Sequence, residues 1–315
     1  IADFGEALEI DAHSASTWNN RGNAWRGLGD AQRDGGEDPR PSYRHALDDL
    51  DHAVGLDARD PGARANRGSV RRSLAEADRA YGGDPMAGYR AAIEDFAAAV
   101  KLSPRYVLAY NNRGNAYANL AGEQAARGED PRGTLRLAIA DFEEALRLSP
   151  DFATVYNNRG LARLQLGEHE EAAGGDPREH YRAAVADFGE TVRRNPALFG
   201  VYVNRGETQR ALARQQGRRG EDPRPAWRGA VDDYGAALAR NPDLPGALEG
   251  RGRAWLGLGE AQSAHGIDPR EAFDAAVRDL REVLRVVPDA ARTWLACGIA
   301  GARRADAAAE RGEDA

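Results

Sequence analysis

A period of 46 residues runs through this chain and constrains its fold more than any other feature. An Arg-Gly pair and an Asp-Pro pair each recur six times at this spacing, and no insertion or deletion interrupts the count. The Arg-Gly pairs begin at Arg21, Arg67, Arg113, Arg159, Arg205 and Arg251. The Asp-Pro pairs begin at Asp38, Asp84, Asp130, Asp176, Asp222 and Asp268. Because a fixed period of this length is typical of stacked supersecondary units, we expect a repeat array and not separate globular domains.

Each repeat unit is predicted to contain two amphipathic helices. In the unit 107–148, Tyr110, Gly114 and Tyr117 recur at three- and four-residue steps and mark one face of a first helix. Apolar residues between 135 and 146 recur at the same steps and mark a second helix. Since each helix is apolar on one side only, both must bury that side against neighbours.

Turn residues separate the two helices. A polar Arg-Gly-Glu-Asp run ends the first helix, after which Asp130 is expected to be the N-cap and Pro131 the first helical residue of the second. Ser149-Pro150 is expected to end the second helix, because the residue before a proline disfavours helical backbone. Alanines in phase from Ala46 to Ala276 are expected where the two helices cross closely, opposite the glycines of the Arg-Gly pairs.

These residues resemble the tetratricopeptide repeat over essentially the whole chain. The family places a large residue, a glycine and an aromatic residue on the first helix, followed by Ala, aromatic, Ala and Pro on the second. The matching residues are Tyr110, Gly114, Tyr117, Ala138, Phe142, Ala145 and Pro150. The resemblance implies an all-α fold, a right-handed α-solenoid of antiparallel helix pairs. It would form a single domain over 1–315 with about seven units, the first without its first helix and the last without its second.

The chain departs from the family in the length of its unit and at one position. The family period is about 34 residues, so each unit here carries about 12 more between the helices. Two apolar columns flank that insertion, one of leucines and one mainly of aromatic residues, which predicts two lengthened helices of about 18–20 residues that pack on each other. The leucines are Leu28, Leu74, Leu120, Leu166, Leu212 and Leu258. The second column is Tyr43, Tyr89, Leu135, Tyr181, Trp227 and Phe273.

The second departure is an arginine where the family has leucine. An aspartate column recurs on the second helix, so we predict a structural ion-pair ladder, because a buried charge must be paired. Arg113 could pair with Asp141 of its own unit or with Asp95 of the preceding one. A ligand-facing basic groove is the less favoured alternative. The predicted ladder joins Arg21, Arg67, Arg113, Arg159, Arg205 and Arg251 to Asp49, Asp95, Asp141, Asp187, Asp233 and Asp279.

Asparagines recur beside these arginines on the part of the first helix that faces the concave groove in tetratricopeptide proteins. The amide side chain donates and accepts, so such an array could hold the backbone of an extended peptide. Ordinary local hydrogen bonding is the alternative. The candidate partner-binding residues are Asn19, Asn20, Asn23, Asn66, Asn111, Asn112, Asn115, Asn157, Asn158 and Asn204.

Other function classes find little support in the sequence. Six histidines share no metal-ligand spacing, and neither a nucleophile elbow nor a phosphate loop is present, so we expect no metal, no cofactor and no enzyme activity. A net charge of −7 disfavours nucleic acid, and no apolar run is long enough for membrane insertion. The near-absence of lysine among the basic residues indicates high-GC, bacterial coding, and leaves the compartment open.

Two functions therefore remain. The chain is predicted to be a non-enzymatic scaffold for protein–protein interaction, binding an extended peptide on its concave face. The alternative is a structural protein whose copies stack head to tail into a filament, or an excerpt of a longer fibre-forming array, because complementary halves of a hairpin stand at its two ends. Within the array, the unit 62–103 is predicted to be the softest interior one, since Arg64 and Arg71 replace apolar residues.

Overall fold

The computed structural model describes residues 1–309, which form fourteen α-helices and contain no β-strand. The helices are α1 (Ala2–Ile10), α2 (Ala15–Asp34), α3 (Arg40–Leu56), α4 (Pro61–Ala80), α5 (Met86–Leu102), α6 (Val107–Ala126), α7 (Arg132–Leu148), α8 (Ala153–Ala172), α9 (Arg178–Arg194), α10 (Phe199–Arg218), α11 (Arg224–Leu238), α12 (Pro245–Ala264), α13 (Arg270–Val286) and α14 (Ala291–Ala309). The predicted all-α class, a solenoid of paired helices, is confirmed.

Contacts between Cα atoms divide the chain into two compact units, Ile1–Val155 and Tyr156–Ala315. The first holds the hairpins α2–α3, α4–α5 and α6–α7, and the second holds α10–α11 and α12–α13. A single solenoid domain over 1–315 stays a prediction.

The first helices have the predicted length, and the second helices are shorter than predicted. The first helices α2, α4, α6, α8, α10 and α12 have 20 residues each, as predicted. The second helices are shorter than predicted, with 17 residues in α7 and 15 in α11. The proline at each end is the reason: Pro131 lacks the N–H of a helix interior, and Ser149 precedes Pro150.

The turn at each hairpin tip is closed by a glycine and an aspartate. Gly128 has φ +74°, and the N–H groups of Gly128 and Glu129 donate to Ala125 and Gln124 at 3.0 and 2.8 Å, which is a Schellman motif. The prediction of Asp130 as the N-cap was wrong by one residue, because Pro131 takes that place. Asp130 still accepts the N–H of Arg132 at 3.0 Å, so its carboxylate satisfies a free donor of the helix start.

First and second helices form two layers within each compact unit. α2 touches α4 and α4 touches α6, and likewise α10 touches α12 and α12 touches α14. No such contact joins α3 to α5 or α11 to α13 in the described residues. The first helices are therefore closer together, and we call their common side the inner face.

The lengthened parts of the helices pack by an arrangement that the sequence only half predicted. In the hairpins α2–α3 and α12–α13, the aromatic residue of the second helix lies over a glycine of the first helix. A Cβ on Gly29 would lie 2.5 Å from Tyr43, and one on Gly259 would lie 2.5 Å from Phe273. Within the described residues, the leucine column meets this aromatic column across units. Tyr89 packs with Leu120, Tyr181 with Leu212 and Trp227 with Leu258. The insertion therefore joins successive hairpins.

Candidate functional site: buried ion pairs and the inner face

The arginine and aspartate columns form bidentate ion pairs within each unit. In every pair Nε donates to Oδ2 and Nη2 donates to Oδ1, over distances of 2.5 to 3.0 Å. The pairs are Arg21–Asp49, Arg67–Asp95, Arg113–Asp141, Arg159–Asp187, Arg205–Asp233 and Arg251–Asp279. Of the two pairings that the sequence left open, the structure has the one within the unit.

Burial makes the arginine and the aspartate of each pair depend on each other. Desolvation raises the pKa of Asp141 and of Asp233 even though each accepts two hydrogen bonds from arginine. The hydrogen bond from Arg113 to Asp141 in turn raises the pKa of that guanidinium. A planar guanidinium matches a carboxylate at two points, which lysine cannot do. Each pair thus fixes the register of its two helices, and removing either partner would leave the other charge largely shielded from water.

Two of the aspartates bind a second arginine, which the sequence analysis missed. Arg71 lies 2.9 Å from Asp95, and Arg163 lies 2.8 Å from Asp187. Both stand four residues after the arginine of the ladder, so they lie on the same helix face one turn further on. That spacing was visible in the sequence, but Arg71 was interpreted as a lost aromatic residue.

Arg64 is the other arginine that replaces an apolar residue. It makes the same hydrogen bond as the aromatic residues at this position in other units. Its Nε donates to the Ala58 carbonyl at 3.0 Å, in the link before the first helix. The same carbonyl position accepts from Trp18, Tyr202 and Trp294 in other units. A side-chain donor at this position therefore holds the link in place whether the side chain is aromatic or basic.

The candidate asparagines all lie on first helices, and they differ in exposure. Asn20 is exposed and Asn111 is buried. The remaining eight are half-buried: Asn19, Asn23, Asn66, Asn112, Asn115, Asn157, Asn158 and Asn204. Asn66 Nδ2 donates to Asn19 Oδ1 at 2.9 Å and so links two successive first helices on the inner face. Asn111 donates to Asn112 at 3.2 Å, and its burial keeps it from a bound partner.

Two of these asparagines carry an acceptor that is not satisfied. The Oδ1 atoms of Asn23 and Asn157 are buried and have no hydrogen-bond partner. An unpaired buried acceptor costs about 1–3 kcal/mol. Because both oxygens are buried, they belong to the packing between helices and are not accessible to a partner. Sequence reasoning placed both residues in the set but could not show that their oxygens are buried and unpaired.

The described residues offer no other site of recognisable chemistry. They contain no group of three or more potential metal ligands. None of their helices is long and apolar enough to cross a membrane. The histidines of the first hairpin pack as aromatic rings, His52 stacked on Trp18 at 4.4 Å and His45 tilted against Trp25 at 4.7 Å.

Comparison with known proteins agrees with this geometry. The fold and the paired helices define the class, an α-solenoid of helical hairpins. The family model described as TPR repeat matches residues 132–167. No curated protein matches the sequence. The predicted resemblance to tetratricopeptide repeat proteins is therefore supported by a family-model match within the chain and by the fold, with units longer than the family's.

Solved structures support the same fold at low sequence identity. The C-terminal part of a TPR repeat-containing protein from Cytophaga hutchinsonii has a TM-score of 0.52 and 15% identity, covering 93% of this chain and 94% of that one. YrrB, a TPR protein with an unusual peptide-binding site, has a TM-score of 0.50 and 16% identity, covering 78% and 95%. PilF of Pseudomonas aeruginosa has a TM-score of 0.50 and 17% identity, covering 89% and 96%. Tetratricopeptide folds generally serve as non-catalytic scaffolds for protein or peptide partners.

Proposed function

We propose that the chain is a non-enzymatic scaffold that binds an extended segment of a partner protein along its inner face. The observation that carries this proposal is a column of asparagines on successive first helices of the compact unit Ile1–Val155, where Asn20 is exposed and Asn66 and Asn112 are half-buried. The side-chain oxygens of this column would accept from backbone N–H groups of an extended segment, and its amide N–H groups would donate to the carbonyls of that segment. Because these contacts are to backbone, they would tolerate many partner sequences.

The resemblance to YrrB adds support of a limited kind. That protein has a peptide-binding site and shares this fold. The low identity means that its site residues do not transfer to this chain. The proposal therefore depends on the asparagines of this chain alone.

A peptide display library panned against the full chain tests the proposal. Peptides selected on the wild type are expected to bind Asn20→Ala or Asn112→Ala about tenfold more weakly by fluorescence anisotropy. Asn241→Ala, a change in the link before α12, is the matched control and should leave affinity unchanged. Selected peptides that bind all three variants equally would exclude the asparagines as the binding site.

Self-assembly is a second candidate, and one observation favours it. α14 has an exposed side that carries Trp294 and Leu295, at 56% and 66%. A second copy packed on this side would bury both residues, and the uninterrupted register of the repeat suits a filament. Light scattering over a range of concentrations and electron microscopy test this candidate. Open-ended fibres that Leu295→Glu abolishes would support it, and a monodisperse wild-type monomer would refute it.

A further inference from the structure

The lengthened hairpins leave a cavity between successive tips that does not belong to the inner-face site. In the compact unit Ile1–Val155, a cavity of about 300 Å³ separates the tip of α2–α3 from the end of α4. We call it the first tip groove. Its lining includes Arg33, Glu37, Pro39, Glu76, Ala77 and Tyr81.

The equivalent position one unit further on is filled by side chains of the chain itself. Glu123 stands 46 residues after Ala77, is buried, and pairs with Arg79 at 3.0 Å. Arg127 pairs with Asp84 at 2.5 Å across the same two tips. A tip groove therefore accommodates a charged side chain with its counter-ion. The first tip groove stays open because its floor residue is alanine.

The first tip groove carries one acidic group that the chain does not pair and a second that is paired through one oxygen only. Its arginine is already paired, since Arg33 lies 3.4 Å from Asp30 and 3.0 Å from Asp34. Glu37 forms no ion pair within the described residues, and Glu76 is held by Arg72 and Asn119 through one oxygen only. The balance of charge in the groove is negative.

The walls suit the rest of a basic side chain. Pro39 and Ala77 are buried and offer an apolar floor for a methylene stem. Tyr81 is 48% exposed at the rim, and the guanidinium of Arg40 already lies 4.2 Å from its ring centroid. An aromatic face beside carboxylates attracts cations by two independent interactions.

We propose that the first tip groove binds an arginine or lysine side chain from a basic segment of a partner protein. The stem lies on Pro39 and Ala77, and the cation lies between Glu37 and Glu76 beside Tyr81. This surface is separate from the asparagines of the inner face. It exists because the unit is longer than the family's period of about 34 residues.

The compact unit that begins at Tyr156 contains the same groove with a different charge balance. A cavity of about 410 Å³ lies between the tip of α10–α11 and the end of α12, where Glu221, Glu260 and Ala261 match Glu37, Glu76 and Ala77. Arg214 and Arg218 also line this second groove, and its Glu221 is already bound by Arg178 and Arg182. It is expected not to bind cations and serves as an internal control.

Binding of labelled hexa-arginine to the full chain, measured by fluorescence anisotropy at physiological salt, tests the proposal. Hexa-arginine is expected to bind and hexa-glutamate is not. Ala77→Glu should fill the groove by pairing with Arg33, as Glu123 pairs with Arg79, and weaken binding about tenfold. Glu37→Gln, an exposed change that leaves the fold intact, should also weaken it.

The sign of the Ala77→Glu effect separates groove binding from general attraction to an acidic protein. This variant is more negative than the wild type, so non-specific attraction would make hexa-arginine bind it more tightly. Ala261→Glu makes the same change in the second groove and should leave affinity within about twofold. The proposal is overturned if hexa-arginine does not bind, if Ala77→Glu binds it as well as the wild type, or if Ala261→Glu loses as much. Circular dichroism melts confirm that each variant is folded.

Discussion

Removing one partner of the ion pair between Arg113 and Asp141 is expected to destabilise the protein more than removing both. Their side chains are 18% and 8% exposed, and two hydrogen bonds of 2.7 and 2.6 Å join them. Removing one partner of a buried pair costs about 3–5 kcal/mol, because the remaining charge is left desolvated. Asp141→Ala should cost about 3 kcal/mol, the low end of that range, since the guanidinium of Arg113 reaches some solvent.

Replacing both partners should remove most of this loss. Arg113→Leu restores the residue that the family has at this position, and Arg113→Leu with Asp141→Ala leaves no buried charge. We expect the double variant to be within about 1 kcal/mol of the wild type, because well-packed apolar residues substitute for buried ion pairs at little cost. Urea unfolding at neutral pH gives the free energies, and hydrogen exchange of α6 and α7 shows whether the effect is local.

The last pair of the ladder provides a matched control. The side chains of Arg251 and Asp279 are 28% and 12% exposed, so water screens them more. Asp279→Ala should therefore destabilise less than Asp141→Ala. The reasoning is refuted if the two changes cost the same, or if the double variant at 113 and 141 is as unstable as the worse single one.

Three further predictions follow from packing, pH and repeat composition. Gly114→Ala should lower the free energy of unfolding in urea by about 1–3 kcal/mol, because its Cβ would lie 2.7 Å from a phenylalanine ring. Gly122→Ala on the same helix is the control: its Cβ meets nothing within 4 Å, so it should raise that free energy by about 0.5–1 kcal/mol. Hydrogen bonds from Arg224 lower the pKa of Asp222 to about 2. The pairing should therefore persist as pH falls below the ordinary pKa of 3.8 and be lost near pH 2. The Arg224 amide donates to that carboxylate at 3.1 Å, so its NMR shift reports the loss. The hairpin 62–103 should exchange its amides faster than the other interior hairpins, and equal protection would contradict this.

Sequence periodicity predicted the hairpin well because both helices are amphipathic and their ends carry residues with fixed backbone preferences. Ser149 ends α7 where a following proline disfavours helix, and Gly128 closes the tip where positive φ is required. The start of α7 was placed one residue early, because Pro131 can stand at the N-cap as well as inside the first turn.

The candidate binding site was predicted less completely. The sequence locates asparagines at a fixed spacing, but hydrogen bonding and burial in the structure decide which of them can contact a partner. Asn66 is hydrogen-bonded to Asn19, Asn111 is buried, and Asn20 is exposed. Such differences arise from the packing of neighbouring first helices, which differs slightly from unit to unit although the period does not.

The sequence by itself determined the 46-residue hairpin, its turns and the columns of residues that recur along it. It could not determine which columns meet, because partners within a unit and partners in the next unit obey the same spacing. Only the tertiary structure decided that Arg113 pairs with Asp141 and not Asp95, and that Tyr89 packs on the leucine of the following hairpin. It also decided that one tip groove is open and the next is filled. The reason is that a period along the chain does not specify which residues are close in space.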